Sequence, residues 1–387
     1  MRIGIDARVL QNERRGQGQY VYYLIQELIK LGRHDEYLLF YNGFKKGRFA
    51  FGEDIPNLRQ VWASIPGSLL KPLWSRCKFP PIEYLLGKVD VFHHTFNYNF
   101  THYTPVPAYA PSVVTFNGMA PPETIWDSAQ YNLKEIDRWF RIIARSAAKI
   151  IAVSRMAKDD LLKRVNVPEE KIRIIYCGVN ENFMSTPDPL QTDLTLVKYG
   201  LKGARYIFYA GAAEKNKNLD GLIDGFRMIM GKPGIDDIHL VMAGSIDDNF
   251  QRLMRKVKEL GLDKRVIFPG YISHESLPSL YRGAEAFVLP TFREWFGIPV
   301  LEAMASGVPV VVSKNTGALE IVGDAAVTFD PFDTRDIAAA LEKIVRDRPL
   351  RRDLIALGLK RVSGYSWKKA AEETLSVYKE VGEGCGH

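Results

Sequence analysis

The chain has 387 residues, of which 46% are hydrophobic and 25% charged, and its formal net charge is +7. This length favours two domains over one. The composition is that of an ordinary globular protein, which excludes disordered and collagen-like classes. No apolar run in the sequence reaches the length of a membrane span, and no signal peptide is expected.

The cysteines and the positive charge indicate the compartment and the partners to expect. Cys77, Cys177 and Cys385 show no metal spacing, and their odd number argues against a disulfide framework, so a reducing cytoplasm is expected. The positive charge indicates either solubility or attraction to anionic lipid or a phosphorylated substrate. No concentrated basic tract carries a nucleic-acid fold signature, so nucleic acid is not an expected partner.

The N-terminus predicts a strand, a loop and a helix. The strand covers Arg2–Val9 and the periodic helix Tyr20–Leu31. Between them stand Gly16 and Gly18, and a glycine-rich turn in this position lets the backbone approach a phosphate or a sugar. Val21 occupies the place of a third glycine, so an ordinary tight turn is the alternative.

Further apolar runs predict a parallel α/β domain in the first half of the chain. They are Tyr37–Tyr41, Asp90–His94, Val113–Phe116 and Lys149–Ser154. Ligands of such sheets bind at the carboxyl ends of the strands. His93, with His94 as a substitute, is therefore a candidate site residue, and a structural role in the core is the alternative.

The segment Ile65–Leu86 has two interpretations. It is rich in proline, leucine and aromatic residues, and Lys71, Arg76 and Lys78 are interspersed among them. The segment could form a surface that rests on a membrane. The alternative is a group of short helices packed on the domain.

A polar stretch over 185–203 predicts a linker, so the domains are expected at 1–184 and 204–365. The second domain begins with a strand over Tyr206–Gly211 and continues with strands His239–Gly244 and Arg265–Gly270. Lys217 stands just before a predicted helix, where a lysine can offset the charge of a diphosphate. A solvated surface lysine is the alternative.

The segment Pro290–Val312 is the most informative part of the chain. It continues a strand, Ala286–Leu289, into a loop, a helix that ends at Gly307, and a second strand. The N-terminus of this helix, around Gly297, offers backbone N–H groups to a phosphate. Glu294 in the loop and Glu302, expected in the first helical turn, flank that point. The small residues Thr316 and Gly317 predict a second helix N-terminus nearby.

These motifs resemble those of the family-4 retaining glycosyltransferases, which are nucleotide-sugar enzymes with two Rossmann-like domains facing across a cleft, the GT-B fold. The family pattern Glu-Gly-Phe-Gly-(Leu/Ile)-Pro-x-(Leu/Val)-Glu-Ala-Met-Ala-x-Gly-x-Pro-Val-Val is matched from Glu294 to Val311, apart from Trp295. The family turn Gly-x-Gly-x-Tyr is matched from Gly16 to Tyr20. The motif Gly-(Arg/Thr/Ala)-x-Glu-x-x-Lys-Asn-Leu is matched from Gly211, with Lys217 as its lysine.

The resemblance implies roles for the matched residues. His93 would lie near the reacting sugar, Lys217 at the diphosphate, Glu294 at the sugar hydroxyls and Glu302 at the ribose, so His93, Lys217 and Glu294 are the catalytic candidates. The remaining donor-binding candidates are Gly16, Gly18, Gly211, Tyr271, Ile272, Phe296, Gly297, Ile298, Thr316 and Gly317.

The resemblance also sets expectations for the whole chain. A C-terminal helix over about 366–387 would pack back on the first domain, as in relatives. The donor would be GDP-mannose, with UDP-glucose or UDP-N-acetylglucosamine as the alternative, and the acceptor a glycan or a lipid-linked sugar. No Asp-x-Asp pair stands in a metal-binding context, so no metal and no other cofactor are expected. Asn117-Gly118 replaces the His-Asp of many relatives.

Three other classes of protein fit the sequence less well. A nucleotide-sugar epimerase or hydrolase of the same fold would need no acceptor and would not normally carry both glutamates. An NAD dehydrogenase would need a complete glycine fingerprint, which the turn at Gly16 lacks. A binding protein without activity would be expected to lose Lys217 or Glu302, and both are present.

Overall fold

The computed structural model describes residues 1–11, 16–43, 51–52, 55–95, 106–118, 138, 141–142, 144–185, 188–314 and 316–384. The chain divides into two compact units. The first comprises the described residues up to Gly178 together with those from Ser366 onward, and the second comprises Val179–Tyr365.

The first unit is built on a parallel sheet of seven strands in the order β3-β2-β1-β4-β5-β6-β7. The strands are β1 (Arg2–Asp6), β2 (Glu36–Asn42), β3 (Leu58–Ala63), β4 (Val91–His94), β5 (Ser112–Phe116), β6 (Lys149–Ala152) and β7 (Ile172–Ile174). The helices described here are α1 (Gln17–Leu31), α2 (Gly67–Pro72), α3 (Glu83–Leu86) and α4 (Arg155–Arg164). The strand order reverses between β1 and β4, which is where ligands bind in such sheets.

The first strand is shorter than the sequence predicts. It ends at Asp6, and Arg8–Gln11 form a 3₁₀ turn instead of continuing to Val9. The Asp6 carboxylate accepts hydrogen bonds from the Arg8 guanidinium at 2.9 and 2.7 Å. Short polar side chains that bond locally compete with the ladder of a sheet, so Asp6 ends the strand.

The C-terminal helix belongs to the first unit. This helix, α13 (Trp367–Glu383), begins at Ser366, whose hydroxyl accepts a hydrogen bond from the Lys369 N–H. The Trp367 ring packs on α1, 5.8 Å from the ring of Tyr20 and 5.7 Å from that of Tyr23. Aromatic contacts of this kind contribute beyond the area they bury, so they hold the end of the chain on the N-terminal unit.

The second unit has a parallel sheet of six strands in the order β10-β9-β8-β11-β12-β13. The strands are β8 (Arg205–Ala210), β9 (Ile238–Ala243), β10 (Val266–Ile267), β11 (Ala286–Leu289), β12 (Val310–Ser313) and β13 (Ala326–Phe329). The helices are α5 (Pro189–Lys198), α6 (Leu219–Ile229), α7 (Asp248–Glu259), α8 (Leu277–Gly283), α9 (Ile298–Ala305), α10 (Ala318–Val322), α11 (Thr334–Arg346) and α12 (Arg348–Val362).

The core of the second unit explains the apolar runs in its sequence. Both faces of the parallel sheet are covered, so β11 and β12 are buried at every position. A continuous cluster joins strand residues to the apolar faces of the helices, with Ile207, Phe226 and Leu341 fully buried in it. The predicted fold class of two Rossmann-like α/β domains is confirmed.

The stretch over 185–203, predicted as a linker, contains the helix α5 and lies in the second unit. The Asp188 carboxylate accepts a hydrogen bond from the Leu190 N–H, and Pro189 occupies the start of the helix, where its missing N–H is not needed. The helix packs against α8, and Leu201 after it is fully buried. The helix is therefore packed on the second unit, although Leu190, Leu194 and Val197 on it are exposed.

The segment Ile65–Leu86 forms α2, a π-helical turn and α3. One side is packed on the unit, where Leu70, Trp74 and Ile82 belong to a buried cluster. The structure therefore accounts for part of the apolar composition by packing, and the other side of the segment is exposed.

Two more sequence expectations concern composition. Among the described residues, no helix is both long and apolar enough to cross a membrane. Cys77 is exposed, Cys177 is buried and neither forms a disulfide within the described part of the chain, whereas Cys385 lies outside it.

Candidate active site

Two loops meet at the point in the second unit where the strand order reverses. One follows β8 and carries Lys217, and the other follows β11 and carries Glu294. The Phe292 N–H donates to the carbonyl of Asn216 at 2.9 Å, and the Asn216 side-chain amide donates to the carbonyl of Arg293 at 2.8 Å. The switch point of the sheet thus brings together two motifs that are far apart in sequence.

A partly buried ion pair completes the junction of the loops. Lys217 Nζ donates to Glu294 Oε2 at 2.9 Å, and the two side chains are only 22% and 18% exposed. Burial acts to lower the pKa of Lys217, but the negative charge of Glu294 and other neighbours outweighs it and raises that pKa above its ordinary value. The ammonium group therefore stays charged throughout the neutral pH range and can face an anion.

The conformation of the loop after β11 depends on two glycines, Gly297 at its end and Gly317 in the loop after β12. Gly297 has φ +95°, a left-handed conformation that favours glycine, and the helix α9 starts directly after it at Ile298. A Cβ atom at Gly317 would lie 1.9 Å from the Trp295 carbonyl oxygen, so no side chain fits there. The Gly317 N–H donates to the Glu294 carbonyl at 2.6 Å and thereby fixes the backbone beside the carboxylate.

Glu302 is placed differently from the sequence expectation. Helix α9 begins at Ile298, so Glu302 is its fifth residue and lies in the second turn rather than the first. Its side chain is 3% exposed, and the Tyr281 hydroxyl donates to its Oε2 at 3.0 Å. Carboxylates are seldom so buried without hydrogen-bonded partners, so a general preference for acidic residues near helix N-termini does not explain it.

Several N–H groups at the predicted second helix N-terminus are bonded within the chain. Helix α10 has five residues, the N–H of Gly317 before it donates to the Glu294 carbonyl, and the Leu319 and Glu320 N–H groups donate to the carbonyls of Thr316 and Gly317. The Thr316 hydroxyl is buried and donates to the Ser313 carbonyl at 3.1 Å. These residues shape the loop around Glu294 through their packing, which the pattern of small residues alone did not indicate.

The other candidates of the second unit are spread along the same edge of the sheet. Gly211 ends β8, where a Cβ atom would lie 2.7 Å from the Tyr209 hydroxyl oxygen. Phe296 is buried and its ring is 6.3 Å from that of Tyr365, so a role toward a ligand falls to its backbone. Tyr271 is 61% exposed and follows β10, two strands away from β8, while Ile272 is buried.

His93 lies in the core of the first unit. Its ring is fully buried, with Nδ1 2.6 Å from the Tyr378 hydroxyl and Nε2 2.7 Å from the Thr115 hydroxyl. Burial, and secondarily the neighbouring His94, lower the pKa of His93 to about 3. Because both ring nitrogens are already bonded, this geometry supports the structural alternative for His93: it ties β4 to β5 and α13.

His94 and the glycines of the first loop have different surroundings. His94 is 4% exposed, its Nδ1 has no hydrogen-bond partner among the described residues, and burial lowers its pKa to about 4. Gly16 has φ +47° and accepts a hydrogen bond from the Tyr20 N–H, and Gly18 is buried in the first turn of α1. Gly16, Gly18 and His93 belong to the first unit, apart in the sequence from the Lys217–Glu294 pair.

Sequence reasoning missed two residues of the site. Asn216 joins the two loops through its side chain, and Tyr281 holds Glu302. A polar residue next to the motif lysine was a usable signal for Asn216. Nothing in the apolar pattern around Tyr281 distinguishes it from a core tyrosine. Among the described residues, no group of three or more His, Cys, Asp or Glu side chains could hold a metal ion.

Family comparisons agree with this geometry. Residues 14–183 match the family model described as Glycosyltransferase Family 4, and residues 195–361 match the one described as Glycosyl transferases group 1. The chain therefore belongs to the family-4 glycosyltransferases of the GT-B fold.

Individual relatives are more distant. The O-antigen chain mannosyltransferase B of Escherichia coli is 31% identical over 60% of this chain and 61% of its own length. The mannosylfructose-phosphate synthase of Agrobacterium fabrum is 30% identical over 64% of this chain and 56% of its own. The matched part of the chain thus spans about three fifths of these relatives.

Solved structures with the same fold cover the whole chain. Sucrose-phosphate synthase from Thermosynechococcus elongatus superposes with a TM-score of 0.80 at 20% identity, over 99% of this chain and 100% of that one. HepE from Anabaena, in complex with UDP and glucose, gives a TM-score of 0.74 at 17% identity, over 98% and 100%. At these identities the likeness concerns the fold.

The His93 geometry predicts a histidine that does not titrate in the folded chain. The folded pKa is about 3 against an ordinary value of 6.5, so the group favours folding above pH 6.5, and that contribution is lost as the pH falls toward 3. At pH 5 the loss is about 2 kcal/mol. In ¹³C-histidine spectra, the resonance that disappears in His93→Gln should not shift between pH 8 and 5. A midpoint near 6.5 would show a solvated ring and contradict the structural role.

Proposed function

We propose that this chain is a retaining glycosyltransferase that transfers a hexose, mannose in the first instance, from a nucleotide-diphospho-sugar to a glycan or lipid-linked acceptor in polysaccharide synthesis. The observation that supports this most directly is the Lys217–Glu294 pair, 2.9 Å apart at the switch point of the second sheet and next to the start of α9. A fixed cation, a carboxylate and the N-terminal end of a helix suit a sugar attached to a diphosphate.

Different residues are proposed to contact the charged and the neutral part of the donor. The Lys217 ammonium group and the positive end of the α9 dipole would stabilise the diphosphate as it leaves. Glu294 would accept hydrogen bonds from the sugar hydroxyls, and Glu302 from those of the ribose. Because Lys217 already contacts Glu294, the lysine would touch both the diphosphate and the group that orients the sugar.

The proposed reaction is balanced without a cofactor. The bond between the sugar C1 and the diphosphate oxygen breaks, and a bond from C1 to the acceptor oxygen forms on the same face. The acceptor hydroxyl gives its proton to the leaving phosphate oxygen. The protein supplies position and charge, which are the main contributions of an enzyme to such a transfer. We propose that no metal is needed, because Lys217 supplies the positive charge.

Relatives named as mannosyltransferases favour mannose, and hence GDP-mannose as donor. UDP-glucose or UDP-N-acetylglucosamine is the alternative donor. HepE, a protein of the same fold, has been solved in complex with UDP and glucose. An epimerase or hydrolase of the same fold differs in needing no acceptor. The proposed location is the cytoplasm, with peripheral contact of the chain at the inner face of the cytoplasmic membrane.

A donor screen tests this proposal. GDP-mannose at about one hundred times its dissociation constant should raise the unfolding temperature by roughly 5 °C or more, because binding adds about 2.7 kcal/mol to stability. UDP-glucose and UDP-N-acetylglucosamine are the competing arms. Turnover of the stabilising donor should be unchanged in EDTA and should yield free sugar only slowly without an acceptor. If no nucleotide-sugar stabilises the chain, the proposed site is wrong, and loss of turnover in EDTA restored by Mg²⁺ overturns the mechanism.

The two glutamates should separate in a matched pair of substitutions. Glu302→Gln should weaken the nucleoside diphosphate and the nucleotide-sugar alike, by about 1.5–3 kcal/mol for lost charge-assisted hydrogen bonds. Glu294→Gln should leave the affinity for the nucleoside diphosphate intact or higher, because Lys217 loses its internal partner, and should lower turnover.

Calorimetry with the nucleoside diphosphate and steady-state rates measure the two effects of these substitutions. The opposite pattern would reverse the assigned roles. If neither substitution changes affinity or turnover, both glutamates are structural and the proposed function loses its basis.

We also propose that the first unit contacts anionic lipid through the exposed side of the segment Ile65–Leu86. Leu69, Phe79 and Tyr84 are 57%, 48% and 66% exposed, and the rings of Phe79 and Tyr84 are 5.4 Å apart. The exposed residues Lys78 and Lys88 lie in and beside this segment. Apolar side chains flanked by lysine suit an interfacial surface that attracts anionic headgroups.

Flotation with phosphatidylglycerol vesicles tests the contact. The chain should float at low salt and less at high salt, because exposed charges are screened. Leu69→Glu should reduce flotation, whereas Leu359→Glu, at a leucine of similar exposure on α12, should not. Absence of binding at low salt would favour packing as the sole reason for the composition of this segment.

A further inference from the structure

The carboxylate of Glu302 is held by a phenol from another helix. Tyr281, on α8, is fully buried, and its hydroxyl donates to Glu302 Oε2 at 3.0 Å. Glu302 itself is 3% exposed. A carboxylate has two oxygens that can accept several hydrogen bonds, so Glu302 can serve as an acceptor for a ribose diol as well as for Tyr281.

The ring of Tyr281 has little freedom to move. Its centroid lies 5.8 Å from the ring of Phe183, 5.2 Å from that of Phe208 and 5.3 Å from that of Phe287. Phe208 is on β8 and Phe287 is on β11, the two strands that flank the switch point. The hydroxyl of Tyr281 is therefore fixed relative to the sheet edge that carries Lys217 and Glu294.

Tyr281 is the donor in this hydrogen bond. Burial, and then the charge of Glu302, raise the pKa of Tyr281 well above its ordinary value, so the phenol remains protonated and donates. Loss of the phenol would leave the carboxylate freer to rotate.

We propose that Tyr281 is a positioning residue for the nucleotide: through its hydrogen bond to Glu302 it fixes the rotamer of the carboxylate that binds the ribose. This inference rests on the proposed function, in which Glu302 accepts the ribose hydroxyls. It assigns Tyr281 an effect on donor affinity and none on the transfer step itself.

The test compares Tyr281→Phe with Tyr206→Phe. Tyr206 is also fully buried, and its hydroxyl donates to the Leu280 carbonyl at 2.6 Å, next to Tyr281 but away from the carboxylate. Both variants remove one buried hydroxyl. Tyr281→Phe should weaken the nucleoside diphosphate about tenfold at pH 7.5 and raise KM for the donor while kcat is retained. Tyr206→Phe should change neither.

A double-mutant cycle separates positioning from a general structural loss. In a Glu302→Gln background, Tyr281→Phe should have no additional effect on the affinity for the nucleoside diphosphate, since the two residues act through one contact. A general structural loss would add to the effect of Glu302→Gln.

The outcomes are distinguishable. If Glu302→Gln leaves nucleotide affinity unchanged, the proposed role of Glu302 fails and this inference with it. If Glu302→Gln weakens binding but Tyr281→Phe does not, or if Tyr281→Phe and Tyr206→Phe weaken it equally, only the inference is overturned. Should Tyr281→Phe not fold, Phe208→Leu loosens the packing on the Tyr281 ring without changing Glu302. A weaker affinity for the nucleoside diphosphate in that variant then supports the inference, and an unchanged affinity overturns it.

Discussion

The candidate site of the second unit depends on the junction of its two switch-point loops, where Lys217 pairs with Glu294. The ion pair alone would not hold the loops, since removal of a charge from water costs nearly as much as the attraction returns. Two hydrogen bonds join Asn216 to the Phe292–Arg293 segment, one between backbone groups and one from the Asn216 side chain. These bonds bring the loops together and place a positive and a negative group side by side.

The two glutamates are held by different means. Glu294 lies in a loop, its backbone carbonyl accepts a hydrogen bond from the Gly317 N–H, and its carboxylate accepts one from the Lys217 ammonium group. Glu302 lies inside a helix and is held by a phenol among aromatic rings. The first carboxylate is therefore coupled to the positive charge of the site, whereas the second is coupled to the core of the unit.

In the first unit, two adjacent histidines have different surroundings. His93 and His94 are adjacent in β4, so their side chains point to opposite faces of the sheet. One face places His93 between Tyr378 and Thr115, where both nitrogens are bonded. The other leaves Nδ1 of His94 without a hydrogen-bond partner among the described residues. The alternation of a strand thus decides which histidine is satisfied inside the core.

The fold class, most strands of both sheets and the two loops of the site could be predicted from the sequence. Apolar runs, glycines and a long matched motif are local properties of the chain. It placed β11 at Ala286–Leu289 and the start of the following helix within one residue. It also placed Lys217 and Glu294 next to strand ends, from which parallel packing brings them together.

Only the tertiary structure decided the rest. The helix α5 within the expected linker, the second-turn position of Glu302, the burial of His93 and the partnership of Tyr281 all depend on neighbours far away in the chain. The hydrogen bonds and the burial of a residue depend on the residues that pack against it. A local pattern of polar and apolar residues does not identify those partners.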